Sequence, residues 1–374
     1  MAIHGFALGG MEEHAVDLAC GLAARGHHVT MLLPHKGGGP LAPLAPRLMA
    51  AGVRVETRRL LDLERFGDRV AARWSLVRWM RRQRFDVLHL HRYNPYHSHA
   101  LPALAALAGV RQRFVSEQDP GLQFGTPKRL IAAFGDSFVT RWIVASSFSE
   151  RAIHANTRRS PARVSRVALG IPTERFPETS PEMRAAARAS LGIAPDAFAI
   201  GTVCRLVTLK GIDDLLAAAP GMLARFPKAE FLIAGGGPES ERLVAAGKIV
   251  GERVRFLGRV ESTSDFLAAL DVFAFPSRYE GFGLAVAEAM ATGLPVVGTR
   301  VGAVEEMLTE SGGGAVVPAN DPAAFAAALE QFATSTEARS HAGMAGRRYA
   351  LRELSLPAMI DRFEAVYASP GGAA

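Results

Sequence analysis

Two carboxylates, eight residues apart, mark the stretch of this sequence best equipped for chemistry. In Phe275-Pro-Ser-Arg-Tyr-Glu-Gly-Phe-Gly-Leu-Ala-Val-Ala-Glu, Glu280 and Glu288 flank a glycine-containing turn. An apolar run at 272–275 leads into the turn, and an Ala-rich helical stretch leaves it from about Gly283. A strand-turn-helix unit of this kind aims free amides and the positive end of a helix at the carboxyl edge of a sheet, which favours an anion. A carboxylate placed just beyond such a helix start can accept two hydrogen bonds from ribose hydroxyls. As two isolated residues, Glu280 and Glu288 read more simply as solvated charges that the helix dipole stabilises.

A second stretch, Gly201-Thr-Val-Cys-Arg-Leu-Val-Thr-Leu-Lys-Gly, brings cations to the same edge: Arg205 ends an apolar run and Lys210 opens the next helix. Lysine occurs only at positions 36, 128, 210, 228 and 248, and a helix start disfavours a cation, so an accidental Lys210 is the weaker reading. Cations fixed in a dry site lower the barrier to departure of an anionic leaving group. Ala234-Gly-Gly-Gly-Pro-Glu resembles a phosphate loop, but Ser240 leaves the Gly-x-Gly-x-x-Gly pattern unfinished. Gly235 and Gly236 therefore read equally as close packing and as ligand contact. Gly9-Gly10-Met11-Glu12 joins the first strand to a helix, where glycines allow either a tight turn or close approach of a ligand. In Asp86-Val-Leu-His-Leu-His-Arg-Tyr-Asn, strand alternation puts His89 and His91 on one face. His89 reads as structural. His91, at the carboxyl end, reads as a partner for a sugar hydroxyl. His97 and His99 follow without a carboxylate to complete a metal site, and no Asp-x-Asp occurs, so no metal ligands are assigned.

The elements that must position these groups follow from periodicity. Strands are expected at 2–7, 28–34, 53–57, 87–91, 113–117, 142–145 and 164–169, then at 198–205, 230–234, 254–257, 272–275, 295–298 and 315–317, alternating with helices. This is the α/β pattern of parallel, doubly wound sheets, repeated twice. The prolines at 177 and 181 place a domain boundary near residue 178. The domains are then 1–178 and 179–355, and the helical sequence that follows ends in a frayed tail at 371–374.

Length and charge limit the function classes. With 374 residues, 49% hydrophobic and 21% charged, the chain is long enough for two or three globular domains and too apolar to be disordered. No apolar run approaches a membrane span, and the first residues do not read as a secretory leader, so a cytoplasmic protein is expected. Cys20 and Cys204 lie far apart, without His or Cys neighbours at ligand spacing. Residues 1–178 carry 25 Lys and Arg against 14 Asp and Glu, whereas 179–374 carry 18 against 22. A basic first half suits an anionic surface. No nucleic-acid-binding motif accompanies it, and a nucleic-acid partner is not expected. Arg73-Trp-Ser-Leu-Val-Arg-Trp-Met-Arg-Arg reads first as a core-facing stripe with a solvated basic side, and second as a peripheral contact with anionic lipid.

Taken in order, these segments resemble the family-4 retaining glycosyltransferases over nearly the whole chain. The Glu-x7-Glu of Glu280 and Glu288, Arg205 with Lys210-Gly211, the Gly9-Gly10-x-Glu loop, Gly235-Gly236-Gly237-Pro238 and Asp86-x-x-His-x-His91 carry the resemblance. It implies the GT-B fold, two Rossmann-like doubly wound domains facing across a cleft, with a last helix, about 356–367, crossing back onto the first. It also implies that Glu280 approaches the donor sugar, Glu288 holds the ribose, and the turn Gly281-Phe282-Gly283-Leu284 brings amides to the diphosphate. Arg205 and Lys210 would neutralise that diphosphate, His91 would sit beside the sugar, and Gly9 and Gly10 would face donor and acceptor. Gly235 and Gly236 would line the nucleotide site, with Phe256 and Leu257 edging the base by main-chain contacts.

The implied reaction is transfer, with retention, from a UDP- or GDP-linked sugar to a hydroxyl of a glycan, lipid-linked or small-molecule acceptor, as in bacterial envelope or exopolysaccharide synthesis. No other cofactor is implied, and the cations and helix dipole can replace a metal. Retention by double displacement would need an opposed carboxylate. A front-face transfer, in which the leaving phosphate takes the acceptor proton, is the preferred reading. The alternatives are a sugar-nucleotide epimerase or phosphorylase of similar architecture and a nicotinamide oxidoreductase. Two departures fall on the acceptor side and the hinge: Leu169-Gly170-Ile171-Pro172 replaces the family's Asn-Gly-x-Asp, and Val115-Ser-Glu-Gln-Asp lacks a frequent histidine.

Overall fold

The computed structural model describes residues 1–4, 10–34, 44–58, 66–92, 100–117, 135–156 and 159–369. Gly9, His97, His99, residues 5–7 of the first expected strand and the tail at 371–374 lie outside these. Two compact units result: Met1–Gly170 with Leu356–Ala374, and Ile171–Ser355.

The first unit holds a parallel seven-stranded sheet in the order β3-β2-β1-β4-β5-β6-β7. Its strands are β1 (Ala2–His4), β2 (Thr30–Pro34), β3 (Arg54–Arg58), β4 (Val87–Arg92), β5 (Gln112–Glu117), β6 (Arg141–Val144) and β7 (Val164–Arg166). Side-chain alternation sorts the layers. Leu88 and Leu90 face a cluster with Leu76, Met80, Leu101 and Ile153 from covering helices, while Phe114 and Ile143 face Leu18, Leu22, Met359, Ile360 and Phe363. The second face is thus closed by two helices from opposite ends of the chain, Gly10–Ala24 and Leu356–Ala368. Gly21 makes their approach possible, because a Cβ there would lie 2.1 Å from Ile360 Cδ1. Arg25 pairs with Asp361 and Glu364 at 2.6 Å at the rim of the same contact.

The second unit holds a parallel six-stranded sheet in the order β10-β9-β8-β11-β12-β13. These are β8 (Phe198–Val203), β9 (Ala229–Ala234), β10 (Val254–Gly258), β11 (Val272–Phe275), β12 (Val296–Thr299) and β13 (Gly314–Val317). In both sheets the chain order reverses beside the first strand, between β1 and β4 and between β8 and β11. Ligands of open α/β sheets bind at such points, outside the carboxyl ends.

All thirteen strands expected from the sequence form; β11 has the expected bounds, and the described ends of the others differ by at most three residues. The division between units falls eight residues earlier than residue 178. The reason is that the proline-containing stretch is fastened to the second unit: Phe176 is buried, its carbonyl accepts from Arg347 at 3.3 Å, and the Thr179 amide donates to the Thr292 carbonyl at 3.3 Å. Proline fixes an extended backbone there without making it a linker.

Candidate functional site

In the second unit the sequence elements meet at the carboxyl ends of β8, β9 and β11. Beyond β8, a short 3-10 turn, Thr208–Lys210, leads to Gly211 in the left-handed conformation (φ +63°), which starts the helix Ile212–Arg225. A Cβ at Gly211 would lie 2.0 Å from the Pro276 carbonyl oxygen, so the turn after β8 seats directly on the turn after β11. The Arg278 amide donates to the Leu209 carbonyl at 2.8 Å, and its guanidinium grips Asp214 at 2.8 and 3.1 Å. These contacts bring Lys210 Nζ onto the Glu280 carboxylate and over the Phe275 ring, 5.6 Å from its centroid. Arg205 stands exposed on the same edge with no carboxylate paired to it among the described residues.

The helix Leu284–Ala291 starts from Gly283 at φ +95°, with no side chain capping it. Its first amides therefore have no intrahelical acceptor and face the edge. A Cβ at Gly283 would come within 3.7 Å of Glu280 Cγ, so the Glu280 side chain lies against this helix start. The turn at Gly302 supports it from behind, since a Cβ there would lie 2.3 Å from the Glu280 carbonyl oxygen. Phe282 is buried and anchors the loop. The Glu288 carboxyl, in the second turn, has no hydrogen-bonding partner among the described residues, and burial pushes it from 4.5 up to about 7, against a weaker pull from Arg175.

The glycines at 235–237 divide by position. Gly235, at φ +120°, presses on the Cys204 carbonyl, where a Cβ would lie 1.8 Å away, and Gly237 on that of Leu206 at 2.3 Å. Gly236 is exposed and has open space where a Cβ would point. Packing accounts for Gly235, and Gly236 is left as the one open to a ligand. Phe256 and Leu257 lie half-buried on β10, the Phe256 ring turned toward Gly247, which leaves backbone as what this strand offers.

In the first unit Gly10 is the exposed first residue of its helix, while His91 is fully buried on β4. His91 lies 4.1 Å from the His89 ring and 5.7 Å from that of His14, centroid to centroid. Both nitrogens of His91 and of His14 lack hydrogen-bond partners among the described residues. Burial holds His14 down at about 4, and His89 and His91 well below the usual imidazole range, so all three are neutral at pH 7. Sequence reasoning missed His14. Its signal was a polar residue on the apolar stripe of Ala15, Leu18, Ala19 and Leu22. Also missed was a buried box beside His91: Arg92 pairs with Asp136 at 3.0 Å and lies 3.6 Å from Glu117, while Arg159 pairs with both carboxylates. A cavity of about 470 Å3 lined by Arg81, Arg84 and Arg111 opens at the amino ends of β4 and β5, the edge opposite His91.

On the basic helix Phe66–Gln83, Leu76, Val77 and Met80 are core residues, as the simpler reading has it. Val70 and Trp74 nevertheless stay 39% and 51% exposed, among exposed Arg73, Arg78, Arg81 and Arg82. No helix among the described residues is long and apolar enough to cross a membrane.

Residues 8–175 match the family model described as Glycosyltransferase Family 4, and residues 197–335 match Glycosyl transferases group 1. Among curated proteins, the D-inositol 3-phosphate glycosyltransferase of Saccharomonospora viridis is 30% identical over 368 residues, 91% of this chain and 78% of that one. A GDP-mannose-dependent monoacylated alpha-(1-6)-phosphatidylinositol monomannoside mannosyltransferase of Corynebacterium glutamicum is 34% identical over 202 residues, about half of each chain (52% and 53%). Among solved structures, Anabaena HepE in complex with UDP superposes with a TM-score of 0.85 at 19% identity over 99% of both chains.

Proposed function

The chain belongs to the group 1, family 4 glycosyltransferases of GT-B fold, and we propose that it moves a sugar, with retention, from a nucleotide diphosphate sugar to a hydroxyl of a glycan or lipid-linked acceptor. One observation carries the donor site: Lys210 and Glu280 meet at an uncapped helix start on the edge where Arg205 stands exposed, with no carboxylate paired to it among the described residues. A diphosphate placed there competes with Glu280 for Lys210 and meets Arg205 and the amides of Gly283 and Leu284. The released Glu280 carboxylate becomes an acceptor for hydroxyls of the donor sugar. Glu288 takes the ribose hydroxyls, and Gly236 leaves room for the nucleotide backbone.

As the bond from the anomeric carbon to phosphate oxygen breaks, charge grows on the diphosphate, where the cations act most strongly. The acceptor oxygen bonds the anomeric carbon from the same face, and its proton passes to the leaving phosphate. GDP-mannose, in the name of one relative, and UDP, bound in a structural neighbour, make guanine and uracil the donor bases to test first. Incubating the full chain with UDP- and GDP-linked hexoses in excess chelator, with and without sugar and inositol acceptors, examines donor and metal independence together. Product linkage by NMR examines retention. An inverted product, activity restored only by a divalent ion, or conversion of the donor sugar without acceptor would each reject part of the reading, the last in favour of an epimerase.

The exposed Trp74 and Val70 within the arginine-rich face support a peripheral, cytoplasmic-side contact with anionic lipid. Sedimentation with phosphatidylglycerol vesicles, weakening as salt rises and lost in Trp74→Ala, is the expected result. Absence of binding at low salt rejects it.

A further inference from the structure

The cavity of about 470 Å3 at the amino ends of β4 and β5 lies wholly on the first unit, at the edge opposite the carboxyl ends, so sugar transfer leaves it without a task. Its wall forms where two helices stop. Phe66–Gln83 ends on Arg84, whose amide donates to the Met80 carbonyl at 3.1 Å, and Ala100–Leu107 ends on Gly109, beyond which the Val110 amide donates to the Ala105 carbonyl at 3.0 Å. Both end residues are left-handed, Arg84 at φ +54° and Gly109 at φ +87°. Glycine is the usual occupant of that position because a Cβ is strained there. Arginine at 84 therefore costs stability that glycine would not, which points to a use for its side chain.

Helix capping accounts for one of the three arginines that line the cavity. Arg81 donates from Nε and Nη2 to the Leu107 carbonyl at 3.2 and 2.8 Å, tying the end of one helix to the other. Arg84 and Arg111 stand exposed, with no carboxylate paired to either among the described residues. Asp86 is the one acid among the described lining residues. Three positive charges against one negative suit a dianion such as a phosphate monoester, which guanidinium groups bind in fork geometry. The surroundings say where that phosphate comes from. Val70, Trp74, Arg78 and Arg81 recur at three- and four-residue spacing, which sets them on one face of their helix, with Trp74 about 10 Å along the axis from Arg81. On the second helix Leu107, beside the cavity, is 53% exposed. Apolar side chains left in water on both helices around a basic hollow match the boundary between lipid headgroups and acyl chains.

We propose that this cavity binds the phosphate monoester headgroup of an anionic membrane lipid, Arg84 and Arg111 gripping the phosphate while Trp74 and Leu107 enter the interface beside it. The inference deepens the lipid contact of the same helix and rests on it. The bound lipid is an anchor, since its headgroup lies at the opposite edge of the sheet from the carboxyl ends.

Flotation of the full chain with phosphatidylcholine vesicles containing either phosphatidic acid or phosphatidylglycerol, at matched surface charge, tests it. The parent binds the phosphatidic acid vesicles about tenfold more tightly, the worth of one charge-assisted hydrogen bond, and glycerol 3-phosphate competes. Arg84→Gly abolishes the preference while its melting temperature holds or rises, because the left-handed strain is gone. Arg111→Ala abolishes it as well. Arg73→Gln, an equal loss of charge on the same helix outside the cavity, keeps it. Equal binding of the two vesicle types by the parent, or equal loss of the preference in Arg73→Gln and Arg84→Gly, overturns the headgroup site and leaves the lipid contact standing. Binding of glycerol 3-phosphate without binding of either vesicle overturns the lipid as the source of the phosphate. Absence of binding to any anionic vesicle or to glycerol 3-phosphate rejects the lipid contact and the headgroup site together.

Discussion

At the carboxyl end of β11, Lys210 and Glu280 pair while their side chains remain 23% and 20% exposed. At the carboxyl ends of β4 and β5, two arginines and two carboxylates pair with Arg92 at 0% and Glu117 at 1%. Both groups sit outside parallel strands near the switch point of a doubly wound sheet, but they are built for different partners. A part-exposed pair loses little when it separates, because water and a ligand can replace either member. A buried box cannot open without leaving a charge in low dielectric. The second unit thus offers exchangeable cations, an uncapped helix and an open glycine to a charged ligand. The first holds a charge-neutral wall and three buried, neutral imidazoles. The same fold thus carries a separable ion pair on one sheet and a locked set on the other.

The sharpest way to break this comparison is to remove one charge from each group. Arg159→Met should destabilise the protein by about 3–5 kcal/mol in urea unfolding, because Glu117 and Asp136 then share a single buried cation. A loss below about 1 kcal/mol would make the box as separable as the Lys210–Glu280 pair. Lys210→Ala should hardly move the unfolding midpoint and should lower kcat roughly 100- to 1000-fold, on the order of 3–4 kcal/mol, since its charge matters most as the diphosphate leaves. A variant that loses affinity alone would place Lys210 in ground-state binding.

Glu288→Ala is a smaller step. It should weaken UDP or GDP binding by roughly 1.5–3 kcal/mol in calorimetry, the worth of a hydrogen bond to a charged group. Unchanged affinity would take Glu288 out of the nucleotide site.

The mildest probe is pH. With its carboxyl raised from 4.5 to about 7, folded Glu288 keeps a proton that the unfolded chain releases, so its contribution to stability falls as pH rises from 4.5 through 7. Binding runs the other way, since the protonated form is a poorer acceptor, and nucleotide affinity should drop up to about tenfold between pH 8 and 6. Subtracting the profile of Glu288→Gln isolates this slope from titration of the nucleotide itself. Identical slopes in the two proteins would contradict it.

The strands and the second-unit site were legible because their signals are local. Short apolar runs found every strand, and Arg205 with Lys210, or Glu280 with Glu288, lie within nine residues of each other in sequence. What stayed hidden is held by partners far apart in sequence. Nothing near Arg92 announces Asp136, 44 residues on, or near His89 announces Tyr367, 278 residues on. His91 shows the limit from the other side. Alternation put it on the correct strand at the correct end, but did not reveal the packing of His14, from a helix that no local pattern could place beside it.

The last helix has a consequence for how the protein is made. Arg25 and Glu364 are 339 residues apart, yet they help to close one layer. The second unit is continuous in sequence and contains all its strands by the time Val317 is synthesised. The first unit is translated earlier but lacks a side until Leu356–Ala368 emerges. A growing chain that has reached Ser355 therefore carries a finished second sheet and an unfinished first one, with Phe114, Ile143 and the histidine face uncovered. Contacts of such long sequence separation form slowly, and exposed apolar surface in the interval invites association with other chains. Birth order and folding order are then reversed: the unit that leaves the ribosome first is the one completed last.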